Sequence, residues 1–222
     1  MIITRPDVAF AVSSLAQHTT NPGPEHWDAL KRVFLYLRST IEYCITFGGE
    51  NNGKLAGYTD ASFAEDSATR RSTGTYIFTL NRGPISWTSK RQLTVALSTT
   101  EAEYMAMCQA AREAIWLRQL LTELGLHQES VQVYADNKGA IALGKNPEFH
   151  KRSKHIDVQY HYVREQVQSG RISTPYLPTN QMVADGLTKA VSPELHLRFI
   201  DHCRLDPDRG MTETSPKRRT QA

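Results

Sequence analysis

Cysteine is scarce, at three residues in 222, and Cys44, Cys108 and Cys203 stand far apart and odd in number. That argues against a disulfide framework or a cysteine zinc site and fits a reducing, intracellular compartment. Long apolar runs are missing too. None approaches the roughly 18 residues a membrane span needs, and the N-terminus lacks a signal-peptide pattern. Charge of one sign is not in excess, with 26 Lys and Arg against 23 Asp and Glu. Global electrostatics therefore make no case for a nucleic-acid partner, and local clustering has to carry it. The histidines do not pair at zinc spacing: His150, His155 and His161 are five and six residues apart, where a helical pair needs four.

The chain is well punctuated. Residues 7–20 and 25–39 read as helices parted by Asn21-Pro22-Gly23-Pro24. The second carries Trp27, Leu30, Val33, Phe34 and Leu37 at helical spacing, a face that has to be buried against something. The polar joint at 48–53 divides an N-terminal helical segment (1–47) from a main domain (54–190). In that domain Leu55–Asp60, Thr73–Leu80 and Ile85–Lys90 read as strands, the last two joined by a turn at Asn81-Arg82-Gly83-Pro84. A long helix follows over 99–124, with Tyr104, Cys108, Ala111 and Ile115 on or near one stripe and Gly125 at C′. A strand (131–135), two helices (138–145 and about 157–168) and a last strand (172–177) lead to a short helix after Pro178. Three antiparallel strands followed by alternating helices and strands predict an α/β mixed sheet covered by helices. Residues 191–205 form a C-terminal extension. The tail 206–222 is polar and basic, of disordered composition.

Four carboxylates stand in four distinct contexts. Asp60 and Asp136 end strand-like runs, and Glu101 and Asp185 lie near helix starts. A cluster of four acids needs cations to offset its repulsion, and two Mg²⁺ ions about 4 Å apart, as in phosphodiester hydrolysis, would do so. Each acid has a bland reading beside the functional one. A strand-terminal Asp is usually a turn former. Ser98-Thr99-Thr100-Glu101 is a capping box, so Glu101 has work at the helix end. Glu103, two residues on, points away from the Glu101 face and toward solvent. Asn137 after Asp136 is a candidate N-cap. Gly186 beside Asp185 weakens a helix interior by about 1 kcal/mol relative to alanine.

The order of these stretches resembles the ribonuclease H domain of copia-type LTR retrotransposon polyproteins. Gly57-Tyr58-Thr59-Asp60-Ala61, Arg71-Ser72-Thr73-Gly74, Pro84-Ile85-Ser86-Trp87, Leu97 to Tyr104, Asp136-Asn137, Lys154-His155-Ile156-Asp157, and Ala184-Asp185 with Thr188-Lys189 carry the likeness. Residues 5–39 look like the segment that joins such a domain to its polymerase. The resemblance implies the ribonuclease H fold, a five-stranded mixed sheet with helices, and metal-dependent cleavage of the RNA strand of an RNA–DNA hybrid. It implies that Asp60, Glu101, Asp136 and Asp185 hold two Mg²⁺ ions, Mn²⁺ substituting. A reverse transcriptase polymerase domain becomes the expected partner, and a cytoplasmic virus-like particle the expected location. Many ribonucleases H carry a histidine in the loop before the last helix; Tyr176-Leu177-Pro178-Thr179-Asn180 has none.

Arg70 and Arg71, Lys90 and Arg91, and Lys151 and Arg152 with Lys154 form basic pairs in loops. Around a phosphate-cutting site they read as backbone clamps, with Asn137 beside them, giving salt-sensitive and sequence-tolerant binding. Trp87 is assigned to the core. Lys217-Arg218-Arg219 reads as a solvated tail or a nuclear-entry signal. The rival to a nuclease is a decayed, non-catalytic nucleic-acid-binding remnant that keeps the fold. An integrase-like transferase has a different acid triad and element order.

Overall fold

In the computed structural model the described residues are 3–48, 53–66, 69–145 and 154–207, with only the backbone of 154–158 and 160. A 3-10 turn over Pro6–Val8 leads into α1 (Ala9–Ala16), and α2 (Pro24–Ser39) begins at a proline, whose missing N–H is no loss in a first turn. The Gly23 amide donates to His26 Nδ1 at 2.8 Å and satisfies that helix start. Contrary to the sequence pattern, α2 buries no residue: Trp27 stays 60% exposed and Phe34 63%. Its fixed point is polar. Arg5 forks onto Asp7 (3.0 and 2.7 Å), and the Tyr36 hydroxyl on α2 donates to the same carboxylate at 2.7 Å. Arg5 also donates to Thr40 O at 3.0 Å and Thr40 Oγ1 at 2.6 Å.

After the two-residue β1 (Cys44–Ile45) come β2 (Ala56–Ser62), β3 (Thr73–Leu80) and β4 (Gly83–Arg91), antiparallel in sequence. The turn between β3 and β4 is shorter than the sequence implied. Asn81 and Arg82 alone make it, both at positive φ (49° and 63°), the pattern of a type I′ hairpin. Next is α3 (Thr99–Glu123), ended by Gly125 at φ 81°. Then β5 (Val131–Tyr134), α4 (Lys138–Lys145), α5 (Lys154–Gln168) and the short β6 (Ile172–Ser173) follow, with a single bridge from Ala135 to Tyr176 prolonging the pairing. The sheet order is β4-β3-β2-β5-β6, with β2, β5 and β6 parallel to one another. This is a ribonuclease H-like fold.

Alternation along β3 divides the core. Phe78 faces α3, α4 and α5 in a cluster with Tyr104, Met107, Val131 and Val133, while Ile77 faces the opposite layer. That layer holds α6 (Asp185–Thr188) and α7 (Pro193–His202), and Phe199, Ile200 and Leu187 pack there on Ile77 and Trp87. The C-terminal extension is therefore part of the packing, and β7 (Leu205–Asp206) pairs with β1. All three cysteines are free. The predictions for Lys151, Arg152, His150 and the tail beyond residue 207 lie outside the described residues, as do the side chains of Lys154, His155 and Asp157. Among the described residues no helix is long and apolar enough to cross a membrane.

Candidate metal centre

The parallel pairing of β2 with β5 sets Tyr58 opposite Tyr134. Two residues further on, Asp60 and Asp136 thus leave neighbouring strands at the same edge of the sheet. From the next layer, Glu103 on α3 turns inward. One ligand oxygen each of Asp60, Glu103 and Asp136 lies within 4.8 Å of the others. Asp60 and Glu103 are buried and Asp136 half-buried.

Glu101 is not in this group. Its Oε2 accepts the Leu97 amide at 2.9 Å, and its own amide donates to Ser98 Oγ at 3.2 Å. The helix start therefore engages its Oε2, through the Leu97 amide one residue ahead of the Ser98 amide that a capping box would use. Glu103 is the reverse of the sequence expectation: it is 7% exposed and stands one helical step before Met107, Ala110, Ala114, Leu117 and Leu121, all buried. Successive residues turn by about 100° on an α-helix, so positions 101 and 103 lie on nearly opposite faces and only one can look at the sheet.

Asp185 is the first residue of α6 and not a residue of a helix interior. The helix is held down by polar contacts: Ser89 Oγ donates to Leu187 O at 2.6 Å, and Thr188 Oγ1 lies 3.0 Å from both Asp60 Oδ2 and Asp185 O. Gly186 does not fray it. A Cβ there would meet the Phe199 ring at 2.7 Å, so the glycine lets α7 close over α6. Lys189 Nζ binds Asp185 Oδ1 at 2.9 Å, and Thr179 Oγ1 donates to Asp136 Oδ2 at 2.7 Å from the loop that carries no histidine.

Burial, then the Asp185 hydrogen bond and charge and the Asp136 charge, push Asp60 well above the usual carboxylate range, with Thr188 opposing. Burial and the charges of Asp60 and Asp136 push Glu103 up further, against the Ala61 amide. Glu103 Oε2 is buried without a hydrogen-bond partner. Hard oxygen donors, mutual repulsion and an orphaned carboxylate oxygen together fit a divalent cation such as Mg²⁺.

The predicted clamps divide. Arg70 is exposed in the loop after β2, at φ 55°, and Arg71 is half-buried. Arg91 is committed to Asp66 at 2.6 Å and to Gln17 Oε1 at 3.2 Å. Asn137 spends its side-chain oxygen on the Ala140 amide at 2.9 Å as the cap of α4. Lys90 stays exposed. Sequence reasoning missed Glu103, Thr179 and the Thr188 contact. For Glu103 the signal was present in the buried stripe that begins at Met107.

No protein-family model matches the chain. Over 191 residues, 86% of its length, it is 49% identical to the retrovirus-related Pol polyprotein from transposon TNT 1-94 of Nicotiana tabacum. It is 44% identical over 193 residues to that from transposon RE2 of Arabidopsis thaliana. The chain spans only 14% and 13% of these two polyproteins. It is 54% identical over 117 residues to secreted RxLR effector protein 161 of Plasmopara viticola, covering 53% of this chain and 82% of that protein. Among solved structures, ribonuclease H1 of Halobacterium salinarum aligns at 13% identity and TM-score 0.43, over 61% of this chain and 95% of that one. The foamy viral protease-reverse transcriptase in complex with dsDNA aligns at 18% and TM-score 0.49, over 72% and 30%. The chain belongs to the family of the Plasmopara protein, and over most of its own length it is homologous to segments of copia-type Pol polyproteins.

Proposed function

We propose that the chain is a retrotransposon-derived ribonuclease H that hydrolyses the RNA strand of RNA–DNA hybrids with two divalent cations, Mg²⁺ or Mn²⁺. One observation carries the reading. Three carboxylates converge to within 4.8 Å, Glu103 Oε2 among them without a partner, and Asp185, outside that group, is near enough for its charge to raise Asp60. Asp60, Glu103, Asp136 and Asp185 would hold the ions. Bound cations of this kind lower the pKa of an attacking water and neutralise charge on the leaving oxygen.

The chain's own residues do the rest. Thr188 fixes Asp60, Thr179 fixes Asp136, and Lys189 holds Asp185 toward the cluster. Arg70 and Arg71 supply backbone charge without reading sequence. The same reading makes residues 1–47 the joint to a reverse transcriptase polymerase domain, which the uncovered Trp27 and Phe34 of α2 suit.

The test is incubation of the purified chain with a labelled RNA–DNA hybrid and Mg²⁺ beside Asp60→Asn. Cleavage of the RNA strand by the wild type alone is expected. Binding without cleavage by either protein would instead make the chain a decayed nucleic-acid-binding remnant.

A further inference from the structure

Tyr36 on α2 joins the N-terminal helices to the far end of the chain. Its hydroxyl has one proton and gives it to Asp7 Oδ2 at 2.7 Å. The same oxygen lies 3.2 Å from His196 Nε2 on α7, so in this second bond the imidazole is the donor. The two rings meet edge to face with centroids 5.5 Å apart. The 3-10 turn that carries Asp7 touches both α6 and α7. One buried polar knot therefore ties the N-terminal segment to the two helices behind the acid cluster.

From there α7 carries the contact inward. His196, Phe199, Ile200 and Cys203 recur at i, i+3, i+4 and i+7, the stripe a helix turns toward its neighbours, and the last three are buried. In the first turns of α7, Glu194, Leu195, Leu197 and Arg198 are exposed, which leaves His196 as the inward hold on that half. One turn on, the Phe199 ring closes on Gly186, where an added Cβ would meet it at 2.7 Å. The helix beneath it, α6, has four residues, too few to keep its shape alone. Its place is set by Ser89 Oγ, 2.6 Å from Leu187 O, and by the Phe199 packing. At one end of α6 stands Asp185, whose charge adds to burial in raising Asp60; at the other, Thr188 Oγ1 lies 3.0 Å from Asp60 Oδ2.

We propose that Tyr36 and His196 are positioning residues of the metal centre: their contact seats α7 on α6, and α6 sets where Asp185 and Thr188 stand against Asp60. The inference rests on the hybrid-nuclease reading and names a control on the same site. The N-terminal segment thereby tunes cation binding without touching the ions. A shift of α2 that parts Tyr36 from His196 loosens the first half of α7, and the four-residue helix under Phe199 loses its brace.

The experiment is Mn²⁺ titration calorimetry on the full chain, for the wild type, Tyr36→Phe, His196→Leu and His196→Gln, with Lys31→Ala on the exposed side of α2 as control. Tyr36→Phe leaves Arg5 on both Asp7 oxygens, so it strands no charge. Urea denaturation checks that each variant is folded under the titration conditions. Tyr36→Phe and His196→Leu are expected to weaken Mn²⁺ binding by roughly 2- to 30-fold, the size that substitutions along a coupled path produce. His196→Gln, whose amide can still donate, should recover most of the loss, and Lys31→Ala should bind as the wild type does. In a Thr188→Val background Tyr36→Phe should cost less than it does in the wild type, because both act through α6. Unchanged binding by folded Tyr36→Phe overturns the inference, as does a loss shared by Lys31→Ala. Full multiplication of the Tyr36→Phe and Thr188→Val losses also overturns it, since α6 is then not the route. Cleavage of a labelled RNA–DNA hybrid is followed separately in Mg²⁺. A wild type that cuts, beside a Tyr36→Phe that binds Mn²⁺ equally well, defeats the positioning role alone. A wild type that does not cut, beside a Tyr36→Phe that loses affinity, defeats the nuclease reading and retains the positioning role. A wild type that binds no Mn²⁺ overturns both.

Discussion

Thr188 and Asp60 stand 128 residues apart in sequence and meet at 3.0 Å, hydroxyl to carboxylate, in a place where the threonine has no exposed surface. The contact ties the short α6 to the end of β2 and orients the most central acid of the cluster. Removing it while keeping the shape, as in Thr188→Val, is expected to weaken divalent-ion binding and hybrid cleavage by roughly 10- to 100-fold, the usual effect of losing an outer-shell partner. Thr188→Ser should restore most of both. Mn²⁺ titration calorimetry on the two variants checks this apart from turnover.

Gly186 and Phe199 make a second demand on the same corner. Alanine at 186 would gain about 1 kcal/mol of helix propensity. The Phe199 ring at 2.7 Å from the new Cβ opposes that gain, and overpacking typically costs about 1–3 kcal/mol. The net expectation for Gly186→Ala is destabilisation, read as a lower urea midpoint. Phe199→Leu in the same chain should relieve part of the alanine's penalty, since the clash is with the ring.

The acids also give stability a pH dependence in the absence of metal. Burial and the Asp185 and Asp136 charges push Asp60 up to about 7, and burial with neighbouring charge raises Glu103 as well. Unfolded carboxylates titrate near 4. Between those limits the folded chain binds more protons than the unfolded one, so stability falls as pH rises through that window. The melting temperature in EDTA should therefore decline from pH 5 to pH 8, and Asp60→Asn should flatten the decline. Mg²⁺ should raise the melting temperature most at the alkaline end, where the acids are ionised.

The Arg5–Asp7 pair sits under Tyr36 with almost no exposed side-chain surface, 11% and 0%. Breaking a buried pair from one side strands the other charge, at a cost of about 3–5 kcal/mol. Asp7→Ala is expected to show that loss in urea denaturation, together with faster proteolysis within α2. That helix has no buried face of its own to hold it.

What the sequence disclosed follows the range of the interactions. The span of β3, the start and end of α4 and the Gly125 stop of α3 rest on neighbours in the chain, and all three were readable. The strand-edge position of Asp60 and Asp136 was readable too, once the two strands were placed side by side. The choice between Glu101 and Glu103 depended on the phase of α3. A phase counted from Tyr104 and Cys108 points to Glu101 and one counted from Met107 and Ala110 points to Glu103; all four of those residues are buried, so only the placement of α3 against β2 and β5 brings Glu103 to Asp60 and Asp136. The packing of α7 over Gly186, the β1–β7 pair and the Thr188 contact join segments more than 100 residues apart or residues on separate elements, and no local pattern announces them. The apolar face of α2 shows the opposite failure. Its periodicity was real, but among the described residues the cover is partial: Leu30, Val33 and Leu37 are half-buried and Trp27 and Phe34 stay exposed.

The central claim is that Glu103, and not Glu101, completes the metal centre with Asp60 and Asp136. It is tested most directly by the single-turnover rate of RNA-strand cleavage in Mg²⁺ for Glu103→Gln beside Glu101→Gln. Glutamine can still serve in a capping box, so Glu101→Gln should cut at close to the wild-type rate. Glu103→Gln should lose roughly 100-fold or more, beyond the 10- to 100-fold of an outer-shell loss. The reverse order, with Glu101→Gln inactive and Glu103→Gln active, would contradict it.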